Sequence, residues 1–118
     1  MTDERPLGDL DYCYLTTTGR HTAIPHRIEI WFALADGKIY ILSGGGDRSD
    51  WVRNLMISPE VVLEIGDVKR ATDARVVTDP AEDARARRLL VEKYRPRYHG
   101  DLAEWGRTSL PVAIDWKE

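Results

Sequence analysis

The chain has 118 residues, 42% of them apolar and 31% charged. That suits one globular domain, too apolar for a disordered chain and too short to add a second catalytic domain. A formal charge of −3, from 17 basic and 20 acidic residues, argues against a dedicated nucleic-acid binder, and no apolar run approaches the ~18 residues of a membrane span.

The polar, acidic start MTDERPLGDLD predicts a cytoplasmic chain without a secretory leader. Residues 1–8, with Pro6 and Gly8, read as a loose arm on a single domain spanning 1–118. The run 10–18 (LDYCYLTTT) is rich in Tyr, Leu and Thr and predicts a strand. A polar turn follows at Gly19–Ala23. Residues 26–34 alternate strictly, with Ile28, Ile30, Phe32 and Leu34 on one face and Arg27, Glu29, Trp31 and Ala33 on the other, which predicts one half-buried strand. Asp36-Gly37 is a hairpin signal, and 38–43 (KIYILS) is the returning strand.

Three glycines, Gly44 to Gly46, then lead into a short helix near 48–57, capped by Asp47 or Ser49 and stopped by Pro59, with Trp51 and Leu55 on one face. Strands follow at 60–65 (EVVLEI) and 69–78 (KRATDARVVT), joined by a turn at Gly66-Asp67. Asp79-Pro80-Ala81-Glu82 carries an N-cap, a proline at the first helical position and an acid at the third. The helix it opens runs to about Tyr94, with Ala84, Leu89 and Leu90 facing inward and Arg85, Arg87 and Arg88 on a solvated face. Residues 97–107 are irregular or a short helix, and 110–116 (LPVAIDW) form the last strand. Hairpin-linked strands outnumber crossover helices, so the expected fold is mainly β (α+β): a small six-stranded antiparallel barrel with two helices. Its edges call for closure or dimerisation.

Single residues exclude several chemistries. The one cysteine, Cys13, lies in an apolar strand-like run and reads as a buried structural thiol, and it allows no intrachain disulfide. The histidines His21, His26 and His99 stand in no HxxxH or HExxH arrangement, so no metal site is expected. No serine has a GxSxG context.

Of the basic residues, 13 are Arg and only 4 are Lys. Genome composition accounts for such a bias; so does recognition of anions, because guanidinium pairs bidentately with phosphate and carboxylate. Two segments hold the parts of an anion cradle. One is Thr16-Thr17-Thr18-Gly19-Arg20-His21-Thr22 at a strand end; the other runs from Ser43 through Gly44, Gly45 and Gly46 to Arg48, Ser49, Trp51 and Asn54. Glycines allow close backbone approach, a helix start presents N–H donors, and Thr17, Thr18 and Ser49 add hydroxyls to the charges of Arg20 and Arg48. A flexible surface loop before a helix gives the same pattern, as does core packing of Trp51 on Leu55. Trp31 lines either a site or an interface.

TTTGRHTAIPHRIEIWFAL, then SGGGDRSDWVRNL, then SPEVVLEIG, resembles the deazaflavin-dependent nitroreductase and quinone reductase family over roughly residues 12–94. The resemblance implies a split β-barrel related to pyridoxamine-phosphate-oxidase-like flavin-binding proteins; a homodimer is the expected way to complete sites and cover the barrel's edges. The resemblance also implies coenzyme F420, a deazaflavin with a phosphate and an acidic tail. By position, Thr17, Thr18, Gly19 and Arg20 would lie beside the phosphate or tail, and Ser43, Gly44 and Gly45 along the ring. Arg48 and Ser49 would hold the phosphate, Trp51 and Asn54 would fix that helix, and Arg27 could reach the same anion.

The family often shows a Lys and a Ser/Thr-Gly pair where His21, Thr22 and Ala23 stand here, which leaves FMN open as an alternative cofactor. The activity implied is hydride transfer to an electron-poor acceptor such as a quinone, nitroaromatic or activated alkene. Trp31, Tyr98, His99 and Trp105 are the candidate acceptor wall, and Tyr94 and Tyr98 the candidate proton donors. A non-catalytic flavin-binding or small-ligand-binding protein is the alternative from another functional class.

Overall fold

The computed structural model describes residues 6–116. Most of the expected N-terminal arm, residues 1–5, lies outside them; Leu7–Asp9 forms a 3-10 turn. In chain order the elements are β1 (Cys13–Thr18), β2 (Pro25–Ile30), β3 (Ala33–Ala35), β4 (Lys38–Ser43), α1 (Asp50–Ile57), β5 (Glu60–Ile65), β6 (Val68–Val76), α2 (Pro80–Tyr94), α3 (Ala103–Thr108) and β7 (Leu110–Asp115). The strands form one antiparallel sheet in the order β2-β1-β5-β6-β7-β4-β3.

The strand count is seven, not six. The run 26–34 is not one strand: it breaks at Trp31-Phe32, and its halves become β2 and β3, the two edges of the sheet. Phe32 packs into the inner core and Ala33 into the outer one, so burial alone does not mark the break. The backbone leaves the β1–β2 ladder after Ile30, and the Phe32 N–H and carbonyl are taken up instead by the Tyr94 hydroxyl and Lys93 Nζ. The break turns the chain from one edge to the other within two residues, so the sheet must curl into an open half-barrel. A third helix, α3, occupies part of the segment 97–107.

Curling gives the sheet two apolar faces. Inside the curl, Cys13, Leu15, Ile39, Ile41, Val61, Leu63, Val112 and Ile114 pack with Phe32 and with Val52 and Leu55 of α1. Outside it, Tyr40, Leu42 and Ala113 pack under Ala86, Leu90 and Tyr94 of α2. β4 is therefore buried on both faces, which explains its unbroken apolar run. On α2 the buried residues recur every four positions. Ala84, expected to face inward, is exposed, and Ala86 takes the inner position, because the stripe is anchored two residues later by Tyr94.

Asp79 caps α2 by accepting from the Glu82 amide at 2.9 Å. At α1 the N-cap is Ser49, but its hydroxyl makes no capping bond. The Asp36-Gly37 turn has positive φ at both residues, as a type I′ hairpin requires. Cys13 is fully buried, and burial pushes its thiol up to about 12, the state of a structural rather than a reactive thiol. No described helix is long and apolar enough to cross a membrane.

Candidate cofactor cleft and acceptor slot

β1 and α1 bring the two glycine-and-arginine segments into direct contact. Asn54, on the inner side of α1, is 3% exposed. Its Oδ1 accepts from the Arg20 backbone N–H at 3.1 Å and from Arg20 Nη1 at 3.0 Å, and its Nδ2 donates to Thr17 Oγ1 at 3.2 Å. Arg20 Nη2 also pairs with Asp50 Oδ1 at 3.1 Å. One buried amide thus satisfies the end of β1, the turn after it and the arginine. Gly19 is required for that turn: a Cβ there would lie 2.9 Å from His26 Nε2 and 3.0 Å from the Ile24 carbonyl.

A cleft of about 700 Å³ opens beside this junction. It is lined by Gly19, Arg20, His21, Thr22, Ile24, Pro25, His26, Arg27, Ile28, Asp50, Trp51 and Asn54. Two arginines and two histidines face a single carboxylate, so the cleft suits an anion. The cations are not idle. Arg20 is held by Asp50 and Asn54, while Arg27 pairs with Glu64 at 2.9 Å and lies 4.1 Å from the centre of the Tyr14 ring. Thr17 is buried against Asn54, and Thr18 is half-buried at the end of β1. Trp51 both lines the cleft and packs against the inner core.

The second segment sits on the N-terminal approach to α1. Ser43 ends β4, 2% exposed, and its hydroxyl donates to the Gly46 carbonyl at 2.8 Å. The Ser43 and Ser49 hydroxyls are also 2.8 Å apart and share a hydrogen bond. These bonds fold the loop back on itself. A Cβ on Gly45 would lie 2.6 Å from Ser49 Oγ and displace that hydroxyl, and Gly46 has a positive φ of 63°, which favours glycine. Arg48 is exposed; its backbone N–H donates to the Gly45 carbonyl at 3.2 Å, and its guanidinium makes no hydrogen bond or ion pair among the described residues. Ser43, Gly44, Gly45, Arg48 and Ser49 form a patch next to the cleft, not part of its lining.

The aromatic residues gather on the far side of the glycine loop. Trp31 stacks on Tyr94 (centroids 4.2 Å apart, planes 4° from parallel) and meets Tyr98 and Trp105 edge-on, each at 5.5 Å. Trp105 Cδ1 lies 4.0 Å from where a Cβ of Gly44 would stand. A small slot of about 280 Å³ is lined by Tyr12, Glu29, Ile30, Trp31, Leu42 and Trp105. His99 is exposed and outside this cluster.

Tyr94 is placed differently from a substrate-facing phenol. It is 1% exposed; its hydroxyl accepts from the Phe32 N–H at 2.9 Å and lies 2.7 Å from the Asp11 carbonyl and 3.0 Å from that of Phe32. Burial raises its pKa above the ordinary tyrosine range. The residue braces the β2–β3 break and backs Trp31. Tyr98, half-exposed, is the phenol that faces outward. Sequence reasoning did not single out Asp50 as a partner of Arg20, nor Tyr12, Glu29, Ile30 and Leu42 as slot residues. For Glu29 a signal existed: it shares the Trp31 face of β2 at a spacing of two.

The family model for F420H(2)-dependent quinone reductases matches residues 3–117. Among solved structures, an F420H2-dependent reductase is similar at 25% identity, with 89% of this chain and 93% of that one covered and a TM-score of 0.68. A domain-swapped dimer is similar at 24% identity, covering 89% and 79%, with a TM-score of 0.70. A Listeria innocua protein provisionally assigned as a pyridoxamine 5′-phosphate oxidase shares the fold at 18% identity, covering 95% and 88%, with a TM-score of 0.67.

Proposed function

Because the chain belongs to the F420H(2)-dependent quinone reductase family, we propose that it is an oxidoreductase. It passes a hydride from reduced coenzyme F420 to an electron-poor acceptor: a quinone, nitroaromatic or activated alkene. The observation that carries this reading is the junction of Thr17, Arg20 and Asn54 beside a cation-lined cleft. It joins the two segments that an elongated anionic cofactor would need together.

The residues present fit such a group. The cleft offers Arg20 and Arg27 to a phosphate or acidic tail, and exposed Arg48 adds a cation with no competing partner among the described residues. The backbone at Gly44 and Gly45 allows a flat ring to approach, with Trp105 at its edge. When bound, reduced F420 supplies the hydride; the protein's task is binding and orientation.

Trp31 and Trp105 hold the acceptor in the slot next to the glycine loop. A quinone that gains a hydride becomes an anion and needs one proton to become the hydroquinone. Tyr98 or solvent at the slot mouth supplies it, since the Tyr94 hydroxyl is committed to the backbone. The unpaired edges β2 and β3 favour a homodimer, in the cytoplasm.

The test is to mix purified protein with reduced F420 and a neutral quinone. Acceptor-dependent F420H2 oxidation is expected. Arg48→Ala should weaken cofactor binding by roughly 10- to 100-fold, the scale of a lost charge-assisted contact. Arg88→Ala, on the exposed side of α2, should leave it unchanged. Turnover with FMN alone, or equal affinities of the two variants for F420, would overturn the assignment or the cradle respectively.

A further inference from the structure

We infer that the slot lined by Trp31 and Trp105 is a binding site for uncharged planar aromatic molecules, and that Glu29 in its lining disfavours anionic ones. The inference rests on the proposed reductase reading for the identity of the ligand as acceptor, but not for the site itself.

Three observations carry it. The first is shape. Trp31 is clamped from behind by Tyr94, whose hydroxyl is fixed to the backbone of Phe32 and Asp11, so the wall is rigid before any ligand arrives. Trp105 crosses Trp31 nearly at right angles (86°) and forms the second side. Ile30 and Leu42 complete an apolar lining, and the volume of about 280 Å³ suits a ligand of one or two fused rings.

The second is charge. Among the described residues, Glu29 is the only ionisable group lining the slot apart from the Tyr12 phenol, and no cation lines it. Three other concavities described in the molecule each contain arginine: Arg20 and Arg27 in the cleft, Arg70 beside Trp116, and four arginines between α2 and α3. The slot thus has the opposite electrostatic character to the cleft proposed for the anionic cofactor.

The third is the fixing of that charge. Tyr14, opposite Glu29 in the β1–β2 register, donates its hydroxyl to Glu29 Oε2 at 2.9 Å. This holds the carboxylate on the sheet face and leaves its second oxygen free. Arg27, two residues earlier on the same face, pairs with Glu64 and lies over the Tyr14 ring, and makes no ion pair with Glu29 among the described residues. An anionic ligand in the slot would meet the exposed Glu29 carboxylate as the nearest charge lining it, while a neutral ring would lose nothing and a hydroxyl or amine on its rim would gain an acceptor.

The site is tested in two assays with a matched pair of naphthoquinones, one bearing a carboxamide and the other a carboxylate. In the first, quenching of tryptophan fluorescence is titrated with each quinone in the absence of cofactor. The carboxamide is expected to bind the wild type about fivefold or more tightly than the carboxylate, the scale of one partly screened charge pair. Glu29→Gln should bring the two affinities together, chiefly by improving the carboxylate. Trp105→Ala should weaken both.

In the second assay, the same pair is compared as acceptors with reduced F420, and the kcat/KM ratio should move in parallel through KM. If Glu29→Gln leaves the binding ratio unchanged, the charge inference is wrong. If the carboxylate binds the wild type as well as the carboxamide, it is also wrong. Quenching that discriminates by charge, with no turnover of either quinone, would leave the slot standing and overturn the reductase reading.

Discussion

Asn54 is the residue on which the candidate cleft depends. A mid-helix asparagine has low intrinsic merit in a helix, and this one is buried with its donor and acceptor both used across 34 and 37 residues of sequence. Truncation would leave the part-buried Arg20 N–H and the buried Thr17 hydroxyl short of partners. Asn54→Ala should therefore cost about 2–3 kcal/mol, the penalty for buried polar groups stripped of partners, read as a lower midpoint in urea. Cofactor affinity should fall with it, because Arg20 would be held by the exposed Asp50 alone. A variant of wild-type stability would show that the junction is incidental. The family resemblance implied that the two motifs serve one cofactor and that Asn54 helps to fix the helix. Its partners Arg20 and Thr17 were not legible, because a solvated asparagine and a buried one look alike in sequence.

At the level of elements, the C-terminal turn of α2 works as a clamp on the chain's most unusual feature, the break between β2 and β3. Lys93 Nζ donates to the carbonyls of Leu10 at 2.7 Å and Phe32 at 2.8 Å, and lies 3.7 Å from the centre of the Phe32 ring. Arg97 extends the clamp to the Asp9 carbonyl and the Asp11 carboxylate. Burial, and then the nearby Arg97 charge, lower the Lys93 pKa from 10.5 to about 8, against opposing pulls from Asp11, Cys13 and Asp9. Between those two values the unfolded chain binds the proton that the folded chain has released, so stability attributable to this residue rises with pH.

Comparison of the wild type with Lys93→Met by urea unfolding from pH 7 to 10 should show it. The difference should shift in favour of the wild type by roughly 1 kcal/mol, a value reduced for the part-exposed ammonium; a flat or falling difference would contradict the buried-amine reading. This clamp explains what periodicity missed. The alternation over 26–34 is real on either side of Trp31-Phe32, but the break is stabilised by groups some 60 residues away. Elements whose signals are local, such as KIYILS and the capped start of α2, lie where the sequence places them.

For the whole molecule, the decisive fact is that one sheet serves two cores. The inner core fills the curl, and the outer one lies between the sheet and α2. β4 and β7 contribute to both, with Ile39, Ile41, Val112 and Ile114 pointing one way and Tyr40, Leu42 and Ala113 the other. Neither core can be lost while the other keeps its floor, so residues 6–116 should unfold as one cooperative unit rather than as a barrel with a detachable helical layer. The tryptophans report on both sides: Trp51 and Trp116 belong to the inner core, and Trp31 and Trp105 pack against the outer one. Denaturation followed by far-ultraviolet circular dichroism should coincide with that followed by fluorescence of the wild type. It should also coincide with the fluorescence of a Trp51→Phe variant, whose signal is weighted toward the outer core. An earlier transition in the outer-core signal would mean that α2 and α3, and with them the aromatic slot, open independently of the sheet that holds the candidate cleft.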